Sequence, residues 1–304
     1  MSQPPTVFLT GPRSFTAAHL VPRLEAAGMA VVPFEGDVTD GEALARAVHQ
    51  AAPDYVVHLA ALSFPPTASG AEVYAVNTVA TERLLAACAE LASPPRRVLL
   101  PSTGHVYGRP EPGQRPVPFH EGLCPAPRGH YANSKCAMEH LAAGYADRVP
   151  IVLPRPFNYT GPGQAEHFLI PKLVAAYQRR EPELHLGNTE VARDFSDVRW
   201  VVEVYTRLLQ ADGAVGPVNV CSGRARPLQA ALDHLADRTG HRPVIHQDPA
   251  LIRPDDPPEI RGDPARLHRL LPGVAAPPPL EATIDAMIEG CPPGGGASPA
   301  SRGS

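Results

Sequence analysis

Tyr131 and Lys135 stand four residues apart in a segment, 129–141, that is predicted to be helical. Side chains at positions i and i+4 are neighbours on one face of a helix. A lysine ammonium near a phenol favours the phenolate and lowers the pKa of the tyrosine from about 10. We therefore expect Tyr131 to exchange a proton near neutral pH. The alternative is a partly exposed helix in which both residues are incidental, because this spacing is common.

Two hydroxyl residues, Ser102 and Thr103, follow the strand predicted at 98–100. In open parallel sheets, ligands bind in the crevice outside the carboxyl ends of the strands. If that edge faces the predicted helix, Thr103 joins Tyr131 and Lys135 in one set of proton-exchanging groups. The alternative is that these hydroxyls end the strand and satisfy loop amides.

A glycine turn follows the strand predicted at 6–10 and leads into a helix. Strand, tight turn and helix begin a dinucleotide-binding unit, in which small residues let backbone amides approach a pyrophosphate. Only Gly11 is a glycine here, because Ser14 and Ala17 occupy places where further glycines are usual. Ala17 still allows close packing, and the hydroxyl of Ser14 could bond a phosphate. The alternative is any other strand–turn–helix.

Three further features fit a bound dinucleotide. Asp37 follows the second predicted strand and could bond an adenine amino group, although helix capping is the alternative. The segment His58-Leu59-Ala60-Ala61 ends a strand in small residues, so a cofactor could lie across its backbone. Asn77 falls inside a predicted helix, where a buried amide needs hydrogen-bond partners.

Predicted strands and helices alternate through residue 155, which indicates an α/β chain with a Rossmann-like, doubly wound parallel sheet. The strands are predicted at 6–10, 30–34, 55–59, 98–100 and 151–153. The helices are predicted at 14–28, at 39–51 from a capping box on Thr39, at 71–91, and from Tyr131 to about 148.

The alternation changes after Arg155, where 156–164 is predicted to be a loop. Helices are predicted at 167–180, 199–211 and 227–240, and strands at 184–186 and 217–221. We expect residues 1–155, with returning segments near 190–222, to bind the dinucleotide and 156–290 to form a smaller C-terminal α/β substrate lobe. The Gly-, Pro- and Ser-rich stretch 292–304 is predicted to be disordered.

Composition excludes several classes of function. The net charge of −4 gives no general attraction to nucleic acid or membrane. Apolar runs stay short of the roughly 20 residues of a membrane span, and the N-terminus lacks the pattern of a signal peptide. The five cysteines are scattered and never form CxxC, and the histidines lack metal-ligand spacing. We therefore expect a cytoplasmic protein with reduced thiols and no metal.

The motifs TGxxxFxxxHL, HLAA, STxxVYG, YxxSK and RPFN occur in this order. In these motifs and their order, the chain resembles the extended short-chain dehydrogenase/reductases that act on nucleotide sugars. The resemblance covers about residues 6–290. Later segments are similar to those of GDP-4-dehydro-6-deoxymannose reductases. These segments are 155–164, 193–198, 218–223, 253–254 and 262–263.

The resemblance implies roles for individual residues. Tyr131 would give a proton to the 4-keto oxygen of the substrate, and Thr103 would hydrogen-bond that oxygen. Lys135 would hold the nicotinamide ribose and lower the pKa of Tyr131. The implied dinucleotide-binding set is Thr10, Gly11, Ser14, Phe15, Asp37, Val38, Leu59, Ala60, Ala61, Asn77, Tyr131 and Lys135. The implied substrate-binding set is His105, Asn158, Lys172, Arg193 and Arg253.

Two substrate assignments have plain alternatives. Arg193 could instead form a structural salt bridge with Asp197, and Lys172 could be a solvated lysine on a helix face. The resemblance implies instead that these cations would pair with the diphosphate of the sugar nucleotide.

The resemblance implies NAD(P)H-dependent reduction of GDP-4-dehydro-6-deoxy-D-mannose to GDP-D-rhamnose, by a homodimer formed through the Tyr131 helix and the helix at 71–91. No arginine follows Phe34, and Glu35 would repel a 2′-phosphate, which favours NAD(H) mildly. His105 stands where dehydratases of this family carry an acid. The alternatives are a nucleotide-sugar 4-epimerase or 4,6-dehydratase of the same fold, and a non-catalytic dinucleotide-binding scaffold.

Overall fold

A computed structural model of the chain describes residues 3–63, 69–108, 118–252 and 257–290. Its strands are β1 (Thr6–Thr10), β2 (Ala30–Phe34), β3 (Tyr55–His58), β4 (Arg97–Leu99), β5 (Ile151–Pro156), β6 (Asn158–Thr160), β7 (Glu183–Leu186), β8 (Ala192–Asp197), β9 (Gly216–Val220), β10 (Ala225–Pro227), β11 (Val244–Gln247) and β12 (Glu259–Ile260). Its α-helices are α1 (Phe15–Ala26), α2 (Gly41–Ala51), α3 (Gly70–Tyr74), α4 (Ala80–Glu90), α5 (Gly129–Ala143), α6 (Leu169–Gln178), α7 (Val198–Gln210), α8 (Leu228–Thr239), α9 (Ala265–Leu270) and α10 (Leu280–Gly290).

The main sheet has six parallel strands in the order β2-β1-β3-β4-β5-β9. Its strands are largely apolar on both faces, as expected for a sheet that helices cover on both sides. In β1, Val7 and Leu9 pack towards α1 and α7, whereas Phe8 packs towards α2, α4 and α5. The predicted doubly wound parallel sheet is therefore confirmed.

In a second, four-stranded sheet, β8 pairs with β6, β10 and β12. The prediction of loop throughout 156–164 is wrong, because β6 occupies part of this segment. The main sheet has an apolar core on each face. Helices α6, α8 and α10 form a further apolar core, next to the small parallel pair β7–β11. Among the described helices, none is long and apolar enough to cross a membrane.

The long helix predicted at 71–91 is interrupted. A π-helical segment, Ala75–Val79, separates α3 from α4. Such segments occur mostly as local bulges, frequently at functional sites. The predicted capping box on Thr39 is also wrong, because α2 begins one residue later, with Asp40 accepting a hydrogen bond from the Ala43 amide at 3.0 Å.

Candidate active site

The turn after β1 and the turn after β2 enclose a cavity of about 240 Å³. Gly11 has φ +68°, and a Cβ atom there would lie 2.6 Å from the backbone nitrogen of Ala60. Only glycine therefore lets the first turn lie against the end of β3. The cavity is lined by Gly11, Pro12, Arg13, Ser14, Phe34, Glu35, Gly36, Asp37, Val38 and Ala60.

The two positions that depart from the glycine pattern are compatible with this turn. Ser14 has φ −75° and caps α1, where its hydroxyl accepts a hydrogen bond from the Ala17 amide at 3.2 Å. Ala17 is fully buried against the core between α1 and α7. The N-terminus of α1 thus reaches the cavity with amides that suit a diphosphate. The cavity and this helix end fit the adenosine diphosphate part of a dinucleotide.

Acidic side chains dominate the rim of the cavity. Glu35 lies 3.8 Å from the Nε atom of Arg13, and both side chains are mostly exposed. Asp37 accepts hydrogen bonds from the amide and the hydroxyl of Thr39, each at 2.8 Å. Both bonds lower the pKa of Asp37, and the bond from the Thr39 amide has the larger effect. Asp37 therefore stays ionised beside the cavity.

Other residues in the implied dinucleotide-binding set build the ends of the strands. The hydroxyl of Thr10 accepts from the Ala60 amide at 3.3 Å and lies 2.7 Å from the Nδ1 atom of His58. His58 is buried, and burial followed by the charge of Lys135 lowers its pKa to about 3. Leu59 and Ala61 flank Ala60 and are half-buried.

Asn77 joins two segments from within the π-helical segment. Its amide nitrogen donates to the carbonyl of Leu62 and to the hydroxyl of Ser134, and its amide oxygen accepts from the Leu62 backbone. These bonds fix the chain after β3 against α5. Phe15, at the start of α1, stacks on Tyr159 with ring centroids 6.3 Å apart.

The structure brings the three proposed catalytic residues together. Thr103 precedes a 3₁₀ turn, Gly104–Tyr107, at the carboxyl end of β4, and its hydroxyl accepts from the His105 amide at 3.2 Å. The hydroxyls of Thr103 and Tyr131 are hydrogen-bonded to each other. Lys135 is 3% exposed and donates to the carbonyl of Pro101 at 2.8 Å. The end of β4 therefore contacts both functional residues of α5.

The expectation that Lys135 lowers the pKa of Tyr131 is wrong. Burial raises the pKa of Tyr131, the neighbouring Tyr159 raises it further, and the hydrogen bond from Thr103 opposes these effects. Burial also lowers the pKa of Lys135 to about 8, although the Glu139 carboxylate favours the ammonium. Tyr131 is therefore a protonated phenol at neutral pH, which makes it a proton donor.

The described members of the predicted substrate-binding set are spread over the second sheet, α6 and the turn after β4. Asn158 is half-buried in β6. Lys172 on α6 donates to the carbonyl of His185 at 3.2 Å. Arg193 in β8 is 9% exposed and donates to the carbonyl of Ala192 at 2.8 Å. His105 is exposed beside Thr103.

The alternative was a salt bridge between Arg193 and Asp197. Instead, the carboxylate of Asp197 binds Arg199 and the hydroxyl of Thr283. The predicted contact at Arg253 lies outside the described residues. Within the described ranges, no cluster of His, Cys, Asp or Glu could hold a metal ion.

Three buried residues next to this site had no predicted role. Glu139 lies one helical turn beyond Lys135, and it pairs with Arg155 of β5. Arg155 also binds Tyr107, at the end of the turn that Thr103 begins. The spacing of Glu139 from Lys135 was a signal in the sequence, but its partners come from distant segments.

A model of the NAD dependent epimerase/dehydratase family matches residues 7–221. GDP-6-deoxy-D-talose 4-dehydrogenase from Aggregatibacter actinomycetemcomitans is 34% identical over 235 residues, which cover 77% of this chain and 79% of that protein. GDP-6-deoxy-D-mannose reductase from Pseudomonas aeruginosa is 34% identical over 275 residues, covering 86% and 89%. The structure of RMD from Pseudomonas aeruginosa complexed with NADPH superposes with a TM-score of 0.85 at 31% identity, covering 94% and 98% of the two chains.

Proposed function

Because the chain belongs to the NAD dependent epimerase/dehydratase family, we propose that it is an NAD(P)H-dependent reductase of the 4-keto group of a nucleotide sugar. The substrate is GDP-4-dehydro-6-deoxy-D-mannose and the product GDP-D-rhamnose, in line with the name of the relative from Pseudomonas aeruginosa. The observation that carries this proposal is the hydrogen-bonded pair of Thr103 and a protonated Tyr131.

The side chains of the site divide the work of a carbonyl reduction. The bound nicotinamide supplies the hydride that reduces the carbonyl carbon. Tyr131 gives its phenolic proton to the carbonyl oxygen, and Thr103 orients that oxygen by a hydrogen bond. Lys135 would hold the nicotinamide ribose. A phenol that stays protonated at neutral pH suits this direction of reaction, because the oxygen must gain a proton.

The proposal also assigns groups that would hold the cofactor and the sugar nucleotide. The cavity beside Gly11 and Ser14 takes the adenosine diphosphate of the cofactor. Glu35 at its rim favours NAD(H) mildly, because a carboxylate repels a 2′-phosphate. Lys172 and Arg193, with Asn158 and Arg253, hold the sugar nucleotide.

We also propose a homodimer in the cytoplasm. Val79 and Leu141 are large apolar side chains that are 44% and 40% exposed, on adjoining segments of the α4 and α5 side. A second copy that packs against these helices would bury both side chains. The four described cysteines are free thiols, and free thiols persist in a reducing compartment.

The proposal is tested by mixing purified protein with GDP-4-dehydro-6-deoxy-D-mannose and either reduced nicotinamide cofactor. Loss of the reduced nicotinamide absorbance, in equal molar amount to the sugar, is expected. A flat absorbance with both cofactors would exclude the reductase. Conversion of one nucleotide sugar to its 4-epimer without net oxidation would identify an epimerase, and dehydration of GDP-mannose a dehydratase. Dinucleotide binding without any turnover would support the alternative of a non-catalytic dinucleotide-binding scaffold.

A further inference from the structure

Glu139 and Arg155 form a buried ion pair behind the proposed catalytic residues. Their side chains are 7% and 4% exposed. The Nε atom of Arg155 donates to one carboxylate oxygen of Glu139 at 2.9 Å, and Nη2 donates to the other at 2.5 Å. A buried pair of charges repays its loss of hydration only with such geometry and further hydrogen bonds.

The third member of this arrangement is Tyr107. Its hydroxyl accepts from Nη1 of Arg155 at 2.9 Å and donates to the side-chain oxygen of Asn219 at 2.7 Å. The guanidinium also lies over the Tyr107 ring, 4.9 Å from its centroid. Tyr107 ends the 3₁₀ turn that Thr103 begins. One guanidinium in β5 therefore binds both the helix of Tyr131 and the turn of Thr103.

We infer that Glu139 and Arg155 are a positioning pair, which holds the helix of Tyr131 and Lys135 against the turn that carries Thr103. The inference rests on the proposed reductase function. Both residues act through others, since their polar atoms are occupied by one another and by Tyr107. Because Arg155 of β5 binds the Tyr107 hydroxyl, Tyr107 fixes the turn relative to β5.

The pair also sets the charge around Lys135. Burial disfavours the ammonium, and the Glu139 carboxylate on the same helix opposes that effect. From β3 the ring of His58 faces Lys135, and it is neutral because it is buried. Tyr131, one turn earlier, is a neutral phenol. Glu139 therefore supplies a negative charge that favours the ammonium of Lys135.

The groups around Glu139 itself are few. Arg155 faces it from β5, and the thiol of Cys136 is influenced by both charges. Burial raises the pKa of Tyr107 to about 12, with a contribution from Glu121 of the adjacent loop. Neither the thiol nor the phenol carries a charge at neutral pH. Among these neighbours, the carboxylate of Glu139 is the charge that raises the pKa of Lys135 against the effect of burial.

The test compares Glu139→Gln with the wild type in kcat–pH profiles of the proposed reduction. Removing the carboxylate disfavours the ammonium of Lys135, so the alkaline fall in kcat should move down by about 0.5–1 pH unit. At neutral pH, kcat should fall about tenfold as the helix loosens. The matched control is Glu203→Gln, which breaks the Arg23–Glu203 pair between α1 and α7 and should leave the profile unchanged.

Tyr107→Phe is the second variant, because it removes two hydrogen bonds and no charge. It should lower kcat severalfold and leave the dissociation constant of the dinucleotide unchanged. A wild type without turnover would refute the reductase proposal itself. An active wild type with an unshifted Glu139→Gln profile would overturn the positioning pair, even if the variant were less stable. If Glu139→Gln does not fold, an unchanged kcat in Tyr107→Phe overturns it and a lowered kcat supports it.

Discussion

Gly11→Ala and Gly28→Ala form a matched pair of substitutions around α1. Both glycines have left-handed backbone, with φ +68° and +77°. An L-residue in this conformation costs about 1–2 kcal/mol. Nothing lies within 4 Å of a Cβ atom built on Gly28, so Gly28→Ala should cost about 1 kcal/mol in the free energy of unfolding.

Gly11→Ala adds a steric term to the same backbone strain. Its Cβ would lie 2.6 Å from the Ala60 nitrogen and 2.8 Å from the carbonyl carbon of Leu59. Both are backbone atoms, which cannot rotate away as a side chain can. Overpacking of this kind typically costs a further 1–3 kcal/mol. The total should be about 3 kcal/mol, and the turn must move away from β3.

Urea unfolding, followed by far-UV circular dichroism, measures the stability difference between the two variants. Nicotinamide fluorescence on titration with NADH or NADPH measures dinucleotide affinity. Gly11→Ala should bind either cofactor at least tenfold more weakly, whereas Gly28→Ala should bind as the wild type does. Equal stability loss and equal affinity in the two variants would refute the assignment of the Gly11 turn as the cofactor cradle.

Three further outcomes follow from the same geometry. Tyr131→Phe should lower kcat by about 10²–10⁴ while the dinucleotide dissociation constant stays unchanged; undiminished turnover would contradict its role as proton donor. Arg13→Ala should lower kcat/KM about tenfold for NADPH but not for NADH, and Glu35→Gln should raise the use of NADPH; an unchanged cofactor ratio in both would remove them from ribose recognition. His58 has a pKa of about 3 when folded and about 6.5 when unfolded, so between these values the unfolded chain binds the extra proton. Stability should therefore fall as the pH falls, by up to about 1.4 kcal/mol per unit from this group, and urea unfolding should show a weaker pH dependence in His58→Gln.

The main sheet was predictable because its strands are largely apolar on both faces. A short, continuous apolar run such as the one in β1 is typical of a strand that is buried on both faces in a parallel sheet. The second sheet was missed because β8 buries two carboxylates, Asp194 and Asp197. Asp194 is satisfied by the backbone amides of Ser222, Gly223 and Gly262, which come from distant segments. A pattern of apolar residues cannot reveal a strand that is buried by such contacts.

The spacing of Tyr131 and Lys135 predicted their shared helix, but it could not predict their pKa values. Burial dominates both, and burial depends on tertiary packing. Lys135 donates to the carbonyl of Pro101 at the end of β4, a contact that i+4 spacing does not reveal. The role proposed for Glu139 likewise depends on Arg155, which only the parallel order of the strands brings beneath α5.

The most direct measurement of the reductase proposal is isotope transfer from labelled cofactor to GDP-4-dehydro-6-deoxy-D-mannose. With reduced nicotinamide cofactor carrying deuterium at the transferred position, the product should contain one deuterium at C4 of the hexose, by NMR and mass spectrometry. The amount of oxidised cofactor should equal the amount of labelled product. A product without deuterium at C4, or none from either NADH or NADPH, would contradict the proposed reaction.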